Sequence, residues 1–303
     1  MAAPTPSLHS TILPWADQHL RDLPWRRTRD PWAVLVAETM LQQTQVARVV
    51  DRWERFLQRF PDPRSCADAP PADLLREWAG LGYNRRALML HRTATTIRDD
   101  HDGAVPSELA ALTALPGIGP YTARAVRAFA FELGAAPVDT NIGRVLARVG
   151  GQRLGAAAAQ RLADSLVPDD AVWRWNQGIM ELGARICTKR APSCRECPVV
   201  EHCRWRGMGP DPADGSAAVG RPQAAFAGSD RQLRGRVINA LRAGRCSVRE
   251  IDEVLSIDDE ARRGRILDGL VGEGLVEREG DRLCLPGDRQ DGPVSAERSA
   301  SIA

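Results

Sequence analysis

Leu115-Pro116-Gly117-Ile118-Gly119-Pro120-Tyr121-Thr122-Ala123 lies between two stretches of helical spacing, Ser107 to Leu115 and Tyr121 to Phe131, and its reading decides the fold. Its glycines let the backbone turn tightly. The free N–H groups that open the second helix can then bind a nucleic-acid phosphate without reading sequence. An ordinary turn between two helices is the plainer alternative. Glycine, glycine and proline at this spacing, before a helix of small residues, favour a helix-hairpin-helix.

Outward from this turn the body reads as all-α. Between Pro31 and Phe60 apolar residues recur at helical spacing, at Val46, Val49, Val50, Trp53, Phe56, Leu57 and Phe60, and further helical stretches cover Leu74 to Trp78 and Arg85 to Arg98. Breaks at Gly80 to Gly82, Pro116 to Gly119 and Gly150 to Gly151 suit helix-to-helix turns. Strand-like alternation is hard to find before residue 270. Residues 207–229, rich in Gly, Pro, Ala and Asp, read as a linker. Beyond it Leu233 to Leu241, Val248 to Leu255 and Ala261 to Val271 read as short helices, and Gly274 to Leu285 as a hairpin turning at Gly280 and Asp281. These elements predict a small winged-helix-like module over residues 230–286. Residues 1–9 and 287–303 read as disordered ends.

The 303 residues, 43% of them hydrophobic, are enough for two domains. No stretch approaches the roughly 18 consecutive apolar residues that a membrane span needs, and Met1 to Pro14 lacks a basic segment followed by an apolar one. A cytoplasmic, nucleoid-associated monomer with no membrane partner is therefore expected. A net charge of +2 gives no bulk attraction to nucleic acid, so any such role rests on local patches. One candidate patch is Arg185 to Arg206, with six Lys or Arg against two Glu, although a solvated basic face is the commoner meaning of such a run. Lys189 is the only lysine in the chain. Seven cysteines, an odd number in a chain without an export signal, argue for metal ligation over disulfides.

Three clusters carry chemistry. Cys187, Cys194, Cys197 and Cys203 place four thiolates within 17 residues, which requires a metal centre; spacing alone leaves structural zinc and an iron–sulfur cluster both open. Cys66, Cys246 and Cys284 read as buried small apolar residues. Glu38 lies in Val34-Leu35-Val36-Ala37-Glu38-Thr39-Met40-Leu41, where burial would raise its pKa and keep it protonated as a general acid needs, unless it faces solvent from an amphipathic helix. Asp139 precedes the helical run Ile142 to Val149. It can cap that helix, stabilise a cationic sugar as an ionised carboxylate, or do both.

Leu-Pro-Trp-Arg at 23–26, ETMLQQTQV at 38–46, GLGY at 80–83, LPGIGPYTA at 115–123, VDTN at 138–141 and the cysteine spacing occur in this order. Over residues 10–206 the chain therefore resembles the MutY adenine DNA glycosylases of the endonuclease III superfamily. The resemblance implies a helix-hairpin-helix glycosylase fold, with a six-helix domain at about 30–132 and an iron–sulfur domain built from about 10–29 plus 133–206. It implies one 4Fe-4S cluster on the four cysteines. The implied partner is double-stranded DNA containing adenine opposite 8-oxoguanine or opposite guanine.

By the same resemblance Glu38 protonates adenine N7, Asp139 stabilises the oxocarbenium-like sugar, and Tyr121 and Asn141 orient them. Trp25, Arg26 and Leu41 match pocket residues, Gln43 and Tyr83 match side chains that wedge into the duplex, and Gly117 and Gly119 belong to the phosphate-binding hairpin. Gln177 and Glu181 are weaker pocket candidates. Superfamily members that cleave the strand carry a lysine where this chain has Tyr121, so a monofunctional enzyme is expected. Two departures stand out. Thr140 replaces a glycine common in the family, and residues 230–286 are too short and too helical for the Nudix-like domain with which many members recognise 8-oxoguanine. The rival readings are a thymine or uracil mismatch glycosylase and a non-catalytic iron–sulfur DNA-binding protein.

Overall fold

Pro31 to Leu41 is apolar nearly all round, and a helix without a polar face has to be covered on every side. In the computed structural model, which describes residues 7–216 and 225–288, every residue from Trp32 to Met40 is buried. Among the described residues the helices run α1 (Leu8–His19), α2 (Pro31–Leu41), α3 (Val46–Arg59), α4 (Pro63–Asp68), α5 (Pro71–Glu77), α6 (Arg85–Asp100), α7 (Leu109–Ala114), α8 (Pro120–Ala130), α9 (Thr140–Gly150), α10 (Ala156–Ser165) and α11 (Val172–Arg185). Then follow α12 (Asp230–Ala243), β1 (Cys246–Ser247), α13 (Val248–Leu255), α14 (Glu260–Gly272), β2 (Glu277–Glu279) and β3 (Arg282–Cys284). The described residues fall into two compact units, one within 1–67 and 92–224 and the other within 68–91 and 225–303.

In the first unit α2 packs against α3 and α8. The Asp30 side chain caps α2 through the backbone N–H groups of Trp32 and Ala33. Helix α3 turns Val49, Trp53 and Phe56 inward. Its Trp53 indole donates to the Ala33 carbonyl at 2.8 Å, and the Trp32 indole donates to the Phe60 carbonyl at 3.0 Å, so neither buried N–H is left unmade. A second core gathers Ile12 of α1, Ile142, Val145 and Leu146 of α9, and Trp175, Ile179 and Leu182 of α11. Gly178 is what lets α11 come so close to α1, because a Cβ there would meet Ala16 Cβ at 2.9 Å and Ile12 Cγ2 at 3.0 Å.

Helix α9 carries two buried guanidinium groups, Arg144 and Arg148, one turn apart. Arg148 pairs with Asp211 at 2.6 Å, donates to the carbonyls of Thr188 (2.7 Å) and Lys189 (3.1 Å), and lies 4.5 Å from the centre of the Trp205 ring. Residues 207–216, whose composition reads as linker, are thereby folded onto this unit. Ser216 adds to this by accepting from the Leu154 N–H. The remaining linker residues 217–224 lie outside the described residues. So do 1–6 and 289–303, which make up most of the ends read as disordered; Ser7 caps α1.

The second unit holds the predicted helices and hairpin as α12, α13, α14, β2 and β3, with Gly280 at a φ of 61° in the turn. One element was not foreseen. Cys246–Ser247 forms a two-residue strand that pairs antiparallel with β3, giving the sheet order β1-β3-β2. A strand of two residues shows no alternation that a sequence pattern could reveal. Helix, short strand, two helices and a two-stranded wing is a winged-helix arrangement. Helix α5 and the turn after it belong to the same unit: Arg242 of α12 donates to the Leu75 carbonyl at 2.8 Å and to Asn84 Oδ1 at 2.9 Å, and the Ala72 N–H donates to the Pro286 carbonyl at 2.9 Å.

Arg148→Met removes the donor from Asp211 and from two loop carbonyls at once. It should cost about 3 kcal/mol and lower the thermal midpoint by roughly 5–10 °C; a midpoint equal to that of the parent chain would show that this ion pair does not hold the loop.

Candidate active site

Three elements of the first unit bring Glu38, Tyr121, Asp139 and Asn141 together. Glu38 sits on α2, Tyr121 in the first turn of α8, and Asp139 at the cap of α9. Of the two readings open for Glu38, the buried one is observed: the residue is 7% exposed. The Tyr121 hydroxyl donates to its carboxyl. Burial raises the Glu38 pKa, the Tyr121 hydrogen bond lowers it, the Asp139 charge raises it and the Arg26 charge lowers it, and the outcome is a pKa pushed up from 4.5 to about 7. Burial beside two carboxylates pushes the Tyr121 phenol far above its usual range, so it stays a donor.

Asp139 performs the capping role. Its carboxylate accepts from the N–H groups of Asn141 (2.9 Å) and Ile142 (2.7 Å) and from Asn141 Nδ2 (2.8 Å). Burial pushes this carboxyl above its usual range, while those three donors and the Arg144 guanidinium pull it back. The two carboxyls therefore live in different settings, one accepting a single phenol hydrogen bond in an apolar helix and the other collecting N–H donors at a helix N-terminus. Asn141 is itself held at both ends of its amide, since Oδ1 accepts from Arg144 Nη2 at 2.8 Å. Arg144 also donates to the Cys187 carbonyl at 2.6 Å. Gly183 of α11 lies against Asn141, where an added Cβ would meet Asn141 Cβ at 2.7 Å and its carbonyl oxygen at 2.9 Å.

Trp25 is buried edge-on against Trp53, and Leu41 lies one turn beyond Glu38 on α2. Arg26 is buried and shares the fully buried Glu181 with Arg21: Arg26 Nη2 donates to Glu181 Oε2 at 2.8 Å, and Arg21 Nε donates to Oε1 at 2.6 Å. Gln177 Oε1 accepts from Arg26 Nε at 2.7 Å. Burial alone would raise the Glu181 pKa, but the two guanidinium groups outweigh it and hold the carboxyl below its usual range. An ionised Glu181 matches the charge of Arg26, so Arg26 does not strip the proton from Glu38. Gln177 and Glu181 thus act on the site through Arg26. Arg21, Arg144 and Gly183 escaped the sequence reading; the signal was two arginines one turn apart in the apolar run Ile142 to Val149, and a second glycine in WNQGIMELG.

At the hairpin Gly117 has a φ of 75°, which requires glycine, whereas Gly119 has an ordinary φ of −83° and nothing within 4 Å of where a Cβ would be. Folding therefore does not demand a glycine at 119. Gln43 and Tyr83 are exposed and hold positive φ values of 55° and 47°, a conformation that costs a non-glycine residue energy and is concentrated at functional sites. Tyr83 belongs to the second unit.

Cys187, Cys194, Cys197 and Cys203 are half-buried free thiols. All four border one cavity, partly open to solvent, with Val145, Leu182, Ile186 and Val199 among its walls. Among the described residues no three His, Cys, Asp or Glu side chains converge closely enough for a single metal ion. Cys66 and Cys284 are buried as expected, and Cys246 is half-buried.

A helix-hairpin-helix beside paired, differently held carboxyls defines a DNA glycosylase of base-excision repair, and residues 36–168 match the family described as HhH-GPD superfamily base excision DNA repair protein. The chain is 42% identical to the adenine DNA glycosylase of Mycolicibacterium smegmatis over 288 residues, covering 93% of this chain and 97% of that one. It is also 42% identical to the adenine DNA glycosylase of Mycobacterium tuberculosis, covering 92% and 93%. Among solved structures, a thermostable thymine-DNA glycosylase superimposes with a TM-score of 0.62 at 33% identity, covering 65% of this chain and 94% of that chain. This chain belongs to the adenine DNA glycosylase family, the MutY branch of the helix-hairpin-helix superfamily.

Two outcomes follow from the geometry. Between pH 4.5 and about 7 the folded chain keeps a proton on Glu38 that the unfolded chain has released, so this group's contribution to stability falls as pH rises through that window. Glu38→Gln should therefore be the more stable protein at pH 8, by up to about 3 kcal/mol, with the gain vanishing below pH 4.5; a destabilised Gln variant at pH 8 would contradict the burial cost. Gly183→Ala should push Asn141 aside and slow single-turnover base excision by about 10- to 100-fold with little loss of helix content, and a parental rate would show that Asn141 tolerates displacement.

Proposed function

We propose that this chain hydrolyses the N-glycosidic bond of adenine mispaired with 8-oxoguanine, or with guanine, in double-stranded DNA. The observation that carries the reading is the buried Glu38 carboxyl, which holds its proton up to about pH 7 and is therefore a general acid at working pH. That proton passes to N7 of a flipped-out adenine, the bond between C1′ and N9 breaks, and the base leaves neutral. The sugar left behind is oxocarbenium-like, and ionised Asp139 stabilises it until water adds at C1′ and gives up a proton to the Glu38 carboxylate, which restores the acid. Tyr121 and Asn141 fix the two carboxyls. Trp25, Arg26 and Leu41 form the base pocket, and Gln43 and Tyr83 enter the space that the base vacates.

DNA is gripped at phosphates by the hairpin of Gly117 and Gly119 and by the exposed side chains of Arg185, Lys189, Arg190, Arg195, Arg204 and Arg206. The four thiols suit one 4Fe-4S cluster: they are soft ligands around a single apolar-walled cavity. Such a cluster would brace the basic loop and supply no chemistry to the glycosidic bond. The product is an abasic site. With Tyr121 at the position of the superfamily's lyase amine, and the only lysine exposed among the cluster cysteines, no lysine is placed to cut the strand.

A panel of duplexes carrying A opposite 8-oxoguanine, A opposite G, T opposite G and U opposite G tests the proposal under single-turnover conditions. Adenine should be lost from the first two, and Glu38→Gln should slow that loss by about 10³-fold or more while duplex affinity is retained. Loss of thymine or uracil with adenine intact would replace the proposal with the mismatch-pyrimidine reading.

A further inference from the structure

Tyr83 ends a turn in which Gly80, Gly82 and Tyr83 hold φ values of 86°, 70° and 47°. A bulky residue stays in the left-handed region only when its surroundings over-determine it. Part of the surroundings here comes from the chain after residue 224. Arg242 of α12 holds Asn84, the next residue, at 2.9 Å. Arg231, in the first turn of α12, donates from Nη1 to the Tyr83 hydroxyl at 2.9 Å. The same guanidinium lies 5.7 Å from the centre of the Tyr83 ring and 5.2 Å from that of Phe226, and the Arg86 guanidinium lies 5.5 Å from the centre of the Tyr83 ring. Both rings are exposed, Tyr83 to 36% and Phe226 to 56%.

A surface row of two aromatic faces joined by a guanidinium suits unstacked bases and the phosphates between them. The rest of the module is poorly suited to that ligand. Residues 225–288 carry eleven arginines against thirteen aspartates and glutamates, and the wing itself holds Glu277, Glu279 and Asp281. A wing and helices of net negative charge do not form a general phosphate-binding face.

We propose that Arg231 is a positioning residue for Tyr83: the winged-helix-like module serves excision by clamping the Tyr83 ring in its exposed, left-handed pose and extending it with Phe226 into a stacking surface for the distorted DNA strand. The inference rests on the reading of Tyr83 as the side chain that enters the duplex. It gives the module a task without making it a reader of 8-oxoguanine.

The test uses the full chain and a duplex with A opposite 8-oxoguanine, with 2-aminopurine beside the mismatched adenine so that fluorescence reports unstacking. Affinity and thermal midpoint are measured in parallel. Tyr83→Ala should abolish most of the fluorescence rise. Arg231→Met and Tyr83→Phe should each weaken binding about five-fold and reduce the rise, the double variant should be no worse than either alone, and Arg231→Lys should recover part of the signal. The midpoint of Arg231→Met should match the parent; should that variant fold poorly, Tyr83→Phe removes the same hydrogen bond from its other side. A normal rise and affinity in Arg231→Met and Tyr83→Phe, with Tyr83→Ala defective, would overturn this inference and leave the wedge reading standing. An unaffected Tyr83→Ala would overturn both.

Discussion

Burial of the Glu38 carboxyl in an otherwise apolar helix is the constraint around which the rest of the site is arranged. An acid so placed is expensive to ionise, and its neighbours adjust that cost without abolishing it. The Tyr121 phenol offers one hydrogen bond, the Asp139 charge works against ionisation, and Arg26 works for it. Arg26 would be a stronger opponent if its charge were not already matched by Glu181, which two guanidinium groups keep ionised in full burial. The balance leaves Glu38 at about 7, where one carboxyl can hold a proton in water at neutral pH.

Helix α9 answers that arrangement from the other side. Its N-terminus supplies Asp139 and the N–H donors that favour the ionised form, its first turn supplies Asn141, and its second turn supplies Arg144, whose guanidinium joins Asn141 to the backbone of Cys187. One turn further, Arg148 anchors the same loop and reaches the Cys187 sulfur at 3.3 Å. The catalytic geometry and the cysteine loop are thus two ends of one hydrogen-bonded helix. A distortion in the loop has a direct route to Asp139 through Arg144 and Asn141.

Much of this was legible in the sequence because it is local. The hairpin declares itself through the Gly-x-Gly-Pro run, in which Gly117 takes a left-handed turn, the cap through an aspartate before an apolar run, and the burial of Glu38 through a helix with no polar face. The carboxylate roles came from the resemblance; what the geometry shows is the burial of Glu38 and the capping of α9 by Asp139. What escaped was tertiary. Nothing in Gly183 says that Asn141 will stand against it, nothing in Arg21 says that it will share Glu181, and the composition of residues 207–216 conceals that Asp211 meets a buried arginine. Two-residue β1 escaped because a strand so short has no period. The attachment of the C-terminal helices to α5 and the Tyr83 turn escaped because side-chain to carbonyl bonds over more than a hundred residues leave no pattern.

The pH dependence of single-turnover adenine excision tests the central claim most directly, because it reports the protonation of the acid that cleaves the bond. With Glu38 as general acid, the rate should hold on the acid side of neutrality and fall as pH rises through about 7. A rate that stays flat or climbs through that range would contradict the account.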